Sequence, residues 1–258
     1  MIFSFYNLFN TNEGFTRVNF INEMKWQVKK NIGLIVLPAL LWWGTATYGR
    51  QYLIKFRCTP ETTQCFKESL YPIDRLALGL EDWKADTYSY WTQNSSGVLA
   101  FTAPLVLGGA LLVSGAALPG AALGAAASEW IIIGQTVTWN GAFTEISHLI
   151  TQRPRPFVYK DPLVLGTDPA HFTSFYSGHT SFTAAAMVAV LFMLLHRGAP
   201  LALCLFWALL SQTLIFSTAY FRILAGRHFL TDVLAGAFAG VLVACLVAYY
   251  NRFRATST

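Results

Sequence analysis

Two histidines and one carboxylate have the types and spacing needed to move a phosphoryl group. His228 and Asp232 are four residues apart. On one helix they share a face, so the carboxylate can accept an imidazole N–H, fix the tautomer and leave the other ring nitrogen as a nucleophile. His179, in Tyr176-Ser177-Gly178-His179, comes from a separate segment and suits the role of proton donor to a leaving alkoxide. Arg155, in Arg153-Pro154-Arg155-Pro156, and Arg222, six residues before His228, add guanidiniums that grip phosphate oxygens in bidentate fashion. Ser177 and Gly178 fall where a loop enters an apolar run, and the free N–H groups of a helix start favour an anion. One imidazole to attack, one to donate a proton and a cationic cradle make a set for phosphoryl transfer with no metal and no cofactor.

The elements that must position these residues are apolar helices. Of the 258 residues, 54% are hydrophobic and only 12% are charged, far more apolar than a soluble domain requires. Six stretches approach the length needed to cross a bilayer: Ile32–Tyr48, Gly97–Leu118, Ala121–Phe143, Thr180–Leu195, Pro200–Tyr220 and Thr231–Tyr250. The expected fold is an all-α membrane protein, a six-transmembrane-helix bundle, because backbone groups in lipid must find partners within their own segment. Residues 31–258 form that bundle, and 1–30 form an N-terminal segment read as an interfacial amphipathic helix from its scattered phenylalanines and Trp26. Residues 49–96 form an outer-face loop, in which 71–96 read either as an amphipathic helix lying on the membrane, with Trp83 and Trp91 as anchors, or equally as a plain surface loop with some helix. The region before the first span is long and carries Glu13 and Glu23, which favours an uncleaved span over a signal peptide.

Orientation follows from the basic residues. Lys25, Lys29, Lys30, Arg197, Arg252 and Arg254 fall on one side of a six-crossing chain, which places both termini in the cytoplasm and the reactive clusters on the outer face. Cys58 and Cys65 lie in the outer loop, where an oxidising compartment would permit a disulfide. Cys204 and Cys245 sit inside apolar runs as small hydrophobes. The net charge of +5 reflects this topology, and no basic helix or stacking platform suggests nucleic acid. The expected location is an inner (plasma) membrane of bacterial type with a periplasmic or outer-face site. The sequence carries no signal of oligomeric state.

The three clusters resemble the signature of the type 2 phosphatidic acid phosphatase superfamily. That signature runs Lys, six residues, Arg-Pro; then Pro-Ser-Gly-His; then Ser-Arg, five residues, His, three residues, Asp. Arg155-Pro156, Ser177-Gly178-His179, and Arg222 with His228 and Asp232 match it in order and spacing. The resemblance implies that His228 is the nucleophile, Asp232 its orienting partner and His179 the general acid, with Arg155, Ser177, Gly178 and Arg222 cradling phosphate. It also implies a membrane lipid phosphate as substrate: phosphatidate, phosphatidylglycerophosphate, a polyprenyl diphosphate or a lipid A phosphate. Lipid-to-lipid phosphotransfer, or lipid binding without turnover, are the alternatives. Vanadium-dependent haloperoxidases share the pattern, but six lipid-facing spans do not suit that soluble chemistry.

The chain departs from the signature at three positions. The Lys is His148, the Pro is Tyr176 and the Ser is Phe221. His148 can still donate a hydrogen bond to phosphate, though it is shorter and titrates near neutrality. Arg153 stands near enough in sequence to supply the missing fixed charge, and Tyr176 is placed to line a substrate entrance. Arg227, like Arg153, reads otherwise as a headgroup or structural contact. Glu129, inside the third span, should hydrogen-bond within the bundle. Glu145 is positioned to pair with His148 three residues later, and His171 and His196 read as surface residues.

Overall fold

The structure, a computed structural model, describes residues 17–115 and 119–256. Among them it is helical, with no strand, and six helices are long: α1 Arg17–Gly44, α2 Trp83–Val113, α3 Pro119–Thr151, α4 Gly178–His196, α5 Leu201–Leu224 and α6 Leu230–Thr256. Four stretches are long and apolar enough to cross a membrane: Asn31–Tyr52, Gly178–His196, Leu201–Leu224 and Leu230–Asn251. The expected interfacial helix falls partly on residues 1–16, outside the described residues; from Arg17 onward the chain is helical straight through Lys30 into the first of these stretches.

Helix α4 is the hub and packs against α2, α3, α5 and α6. Its sequence explains why: Thr180, Ser181, Thr183, Ala184, Ala185, Ala186 and Ala189 are small and fully enclosed, so neighbouring backbones come close. The closest approach is by α6 through Gly236 and Gly240. A Cβ at Gly236 would lie 2.6 Å from the Ser177 carbonyl oxygen, and one at Gly240 would lie 2.2 Å from that of Ser181. These two glycines, one turn apart, clamp the start of α6 onto the start of α4.

The segment 71–96 departs from expectation. It is not a separate helix: Asp82 caps α2 by accepting from Lys84 and Ala85 N–H at 2.8 and 3.3 Å, and the helix then runs unbroken from Trp83 to Val113. Ala85, Ser89, Ser96, Ala100 and Ala103 form its buried stripe against α4 and α5. The Trp and Tyr residues that suggested an interfacial anchor occupy the outer side of this helix, with Trp83 and Trp91 well exposed.

Loops cap the end of the bundle where α2 begins and α3 ends. They build a core of their own from Ile54, Leu70, Val158, Tyr159, Phe172 and Phe229, together with Cys58 and Cys65, which are joined by a disulfide. Gln152, in a left-handed backbone conformation, ends α3 and accepts from Lys55 and Phe56 N–H at 2.9 Å each. At the opposite end, Glu129 of α3 is buried and takes a two-pronged contact from Arg197, with Nε at 2.5 and Nη2 at 2.9 Å.

Candidate active site

The turn from α5 to α6 sets the first half of the site. Gly226 adopts φ +64°, and a Cβ there would meet the Leu80 carbonyl oxygen at 2.0 Å, so only glycine fits. The Arg222 carbonyl accepts from the N–H groups of Arg227 and His228 at 3.1 and 3.3 Å, folding the chain so that the Arg222 and His228 side chains come to one side. The second half is the start of α4. The Ser177 N–H donates to the Asp232 carbonyl at 3.1 Å, which ties the two helix starts together.

His228 is buried, and its Nδ1 lies 2.7 Å from the Ser174 carbonyl. A carbonyl can only accept, so Nδ1 carries the proton and Nε2 keeps its lone pair. Burial, followed by the nearby charges of Arg222, Arg155 and His179, holds His228 well below its ordinary pKa, which keeps the ring neutral. Here the geometry corrects the expected role of Asp232. Its carboxylate lies 3.9 Å from Nδ1, too far for a hydrogen bond. It instead accepts from the Ser174 hydroxyl at 2.6 Å, Arg153 Nη1 at 2.5 Å and the Phe229 N–H at 2.9 Å. Asp232 therefore orients His228 at one remove, by fixing Ser174 and capping the first turn of α6.

His179 projects from the first turn of α4, its ring edge-on to Tyr90 with centroids 4.5 Å apart, and its Nε2 is buried with no hydrogen-bond partner. Arg222, also buried, donates to Asp86 at 2.6 Å and to Ser89 at 3.3 Å, while its Nε is likewise unpartnered. Arg155 is held by Thr173 Oγ1, at 2.9 Å from Nη2 and 3.3 Å from Nε. Burial, then Arg222, Arg227 and Arg50, push its guanidinium down to about 9, the mark of cations crowded together without an anion. Buried polar atoms almost always have partners, and among the described residues His148 Nδ1 and the Tyr176 hydroxyl share this unpartnered state with His179 Nε2 and Arg222 Nε.

Several expected ligands have other duties. Arg153 does not supply a free charge: it bridges Asp74 at 2.8 Å and Asp232 at 2.5 Å and also donates to Thr231. Two buried carboxylates outweigh one guanidinium, so its charge is spent within the scaffold. Ser177 acts as the N-cap of α4, its Oγ 3.4 Å from the Thr180 N–H; the first-turn N–H groups that no helix carbonyl can reach are those of Gly178 and His179. His148 is buried with Nε2 3.0 Å from the Tyr176 carbonyl and Nδ1 3.5 Å from Glu145, so it holds the loop that carries Ser177. Tyr176 is buried, its hydroxyl without a hydrogen-bond partner. Arg227 shares Asp86 with Arg222, at 2.8 Å. His171 is half-buried, its Nδ1 2.6 Å from the Leu165 carbonyl, whereas His196 is exposed.

Sequence reasoning missed Asp86, Tyr90, Ser174, Asp74 and Arg50. Ser174 sits three residues before Ser177, and a hydroxyl so near a motif was a usable signal. Asp86 was legible as a carboxylate on the helix facing Arg222 only once α2 was known to start at Trp83. Nothing in the sequence brings Asp74 or Tyr90 to this end of the bundle.

Fold and site together describe a helical protein with stretches apolar enough to cross a membrane and, at one end of its bundle, a cluster of guanidiniums and histidines. Residues 129–255 match the PAP2 superfamily, so the chain carries a domain of that superfamily. Phospholipid phosphatase 2 of Rattus norvegicus and that of Mus musculus are each 42% identical to it over 94 residues. The matched stretch covers 32% of this chain and 32% of each relative, so the chain spans about a third of the length of the curated relatives it matches. No solved structure matches the chain.

Proposed function

We propose that this protein is an integral membrane lipid phosphatase that hydrolyses a lipid phosphomonoester or diphosphate through a phosphohistidine. The observation that carries the reading is His228, buried, neutral and with its Nδ1 proton fixed by Ser174, so that Nε2 faces the charges of Arg155, Arg222 and His179 as a free nucleophile. In the first step Nε2 forms a bond to phosphorus, the bond from phosphorus to the lipid oxygen breaks, and His179 gives its proton to that oxygen. Water then attacks phosphorus, His179 takes the water proton, the N–P bond breaks, and inorganic phosphate leaves. Arg155, Arg222 and the N–H groups of Gly178 and His179 stabilise the charge on the equatorial oxygens.

On this reading the six long helices all cross the membrane. Both termini are cytoplasmic, and the disulfide-bonded loops face an oxidising outer compartment such as a bacterial periplasm, as expected from the basic residues. The substrate enters sideways from the lipid. A phosphate-release assay in detergent, with chelator present, across phosphatidate, phosphatidylglycerophosphate, a polyprenyl diphosphate and a lipid A phosphate tests the proposal. Release from at least one of them that survives chelation is expected. No release from any, or release abolished by the chelator, would overturn it.

A further inference from the structure

The position where the superfamily signature carries Lys is His148 here, a buried and shorter ring whose Nε2 lies 3.0 Å from the Tyr176 carbonyl and whose Nδ1, 3.5 Å from Glu145, makes no hydrogen bond. The cradle therefore lacks the fixed cation of that position unless another element supplies one. Arg50 is such a cation. It follows the end of α1, where the chain loosens into a π-helical turn over Thr45–Gly49, a distortion that shifts the phase of the residues after it and is frequent at functional sites. Gly49 permits the approach: a Cβ there would stand 3.0 Å from Leu149 Cδ1, on the turn of α3 that also carries His148. The next residue, Arg50, then meets Glu145 of α3 in a two-pronged ion pair, Nε to Oε2 at 2.7 Å and Nη2 to Oε1.

We infer that Arg50 is a substrate-binding residue that takes the place of the signature Lys, with Glu145 as its positioning residue. This rests on the phosphatase reading above. A guanidinium has five N–H donors and Glu145 engages two of them, which leaves three to reach phosphate oxygens. The Arg50 side chain is 35% exposed, open enough to meet a ligand, while Glu145 is 4% exposed and fixed. Its charge is also felt inside the cradle, since Arg50 is among the cations that lower Arg155. The exchange is chemically sensible: a Lys on α3 is replaced by a longer, permanently charged group from the segment after α1 that one carboxylate holds in orientation.

The test uses the full chain in detergent. Arg50→Ala should lower kcat/KM for phosphate release by roughly tenfold to a hundredfold, mostly through KM, the scale of one lost charge-assisted hydrogen bond. Arg50→Lys should retain most of the activity. The deciding variant is the double change Arg50→Ala with His148→Lys, which restores the signature residue and should recover activity over Arg50→Ala alone; a merely structural role for Arg50 would not be rescued there. Binding of inorganic vanadate, an oxyanion of phosphate shape, to a His228→Ala background is measured beside it and should weaken on adding Arg50→Ala. An Arg50→Ala protein that folds, keeps kcat/KM within about twofold and binds vanadate as before overturns the inference. If Arg50→Ala fails to fold, Arg50→Gln with the same vanadate titration decides it. Wild-type protein that binds vanadate but releases no phosphate refutes the phosphatase reading alone, and the titration still decides Arg50.

Discussion

The two ends of the helical bundle both bury charge, and they do so in opposite ways. At the Arg197 end one guanidinium meets one carboxylate, Glu129, and the pair is closed. At the His228 end Arg50, Arg155, Arg222 and Arg227 share two carboxylates, with Glu145 holding Arg50 and Asp86 holding Arg222 and Arg227, while Arg155 has only a threonine hydroxyl. Beside them His179 Nε2 and Arg222 Nε are buried without partners. A closed pair adds to specificity of the fold and attracts nothing; a surplus of fixed cations with orphaned donors costs stability until an anion arrives. The surplus thus marks the site, and buried charge alone does not.

Substitutions should behave differently at the two ends. The largest effect expected is at His228: His228→Ala should reduce phosphate release per folded molecule by about 10⁴-fold or more, because the ring that would carry the phosphoryl group is gone. Arg155→Lys comes next, with a loss of about a hundredfold in kcat/KM, since an ammonium cannot reproduce the planar grip of a guanidinium on two oxygens. At the closed end the pattern should invert. Arg197→Ala strands a buried carboxylate and should cost about 3–5 kcal/mol of stability in a detergent unfolding measurement, while kcat per folded molecule stays nearly constant. A comparable loss of activity there would erase the distinction between the ends.

Smaller effects sharpen the same contrast. Gly240→Ala pushes α6 from α4 at a contact of 2.2 Å and should cost about 1–3 kcal/mol, with a fall in kcat as His228 and His179 separate. The pH profile carries a sign. Because the pKa of His228 is lowered from its ordinary 6.5, the ring is still neutral and nucleophilic as pH falls through that value, so the acid limb of kcat/KM should set in below pH 6.5. The matching stability term runs the same way: the unfolded chain takes up the proton that the folded ring refuses, so stability falls as pH drops below 6.5.

Much of the catalytic set was legible because it lies in short stretches whose spacing encodes geometry. Arg222 and His228 are brought together by a local turn, and Ser177, Gly178 and His179 by a helix start, so their placement at one end of the bundle could be read from local spacing. What failed was anything decided by tertiary pairing. Arg153 looked like a spare cation, but Asp74, distant in sequence, claims it. Asp232 looked like the direct partner of His228, but a carbonyl one loop away is nearer. The segment 83–96 looked interfacial because aromatic and polar residues mix there, and its continuation into the long helix to Val113 follows from the Asp82 cap and the buried small residues beyond it. Arg50 and Asp86 were hidden for a related reason: each is an ordinary charge at the end of a helix, given meaning only by the helix it packs against.

The central claim is that His228 carries the phosphoryl group. Mixing the protein with a lipid phosphate labelled in its phosphoryl group, quenching early and locating the label would test it most directly. The account predicts acid-labile label on His228, absent in the His228→Ala protein; label on another residue, or steady phosphate release from the His228→Ala protein, would contradict it.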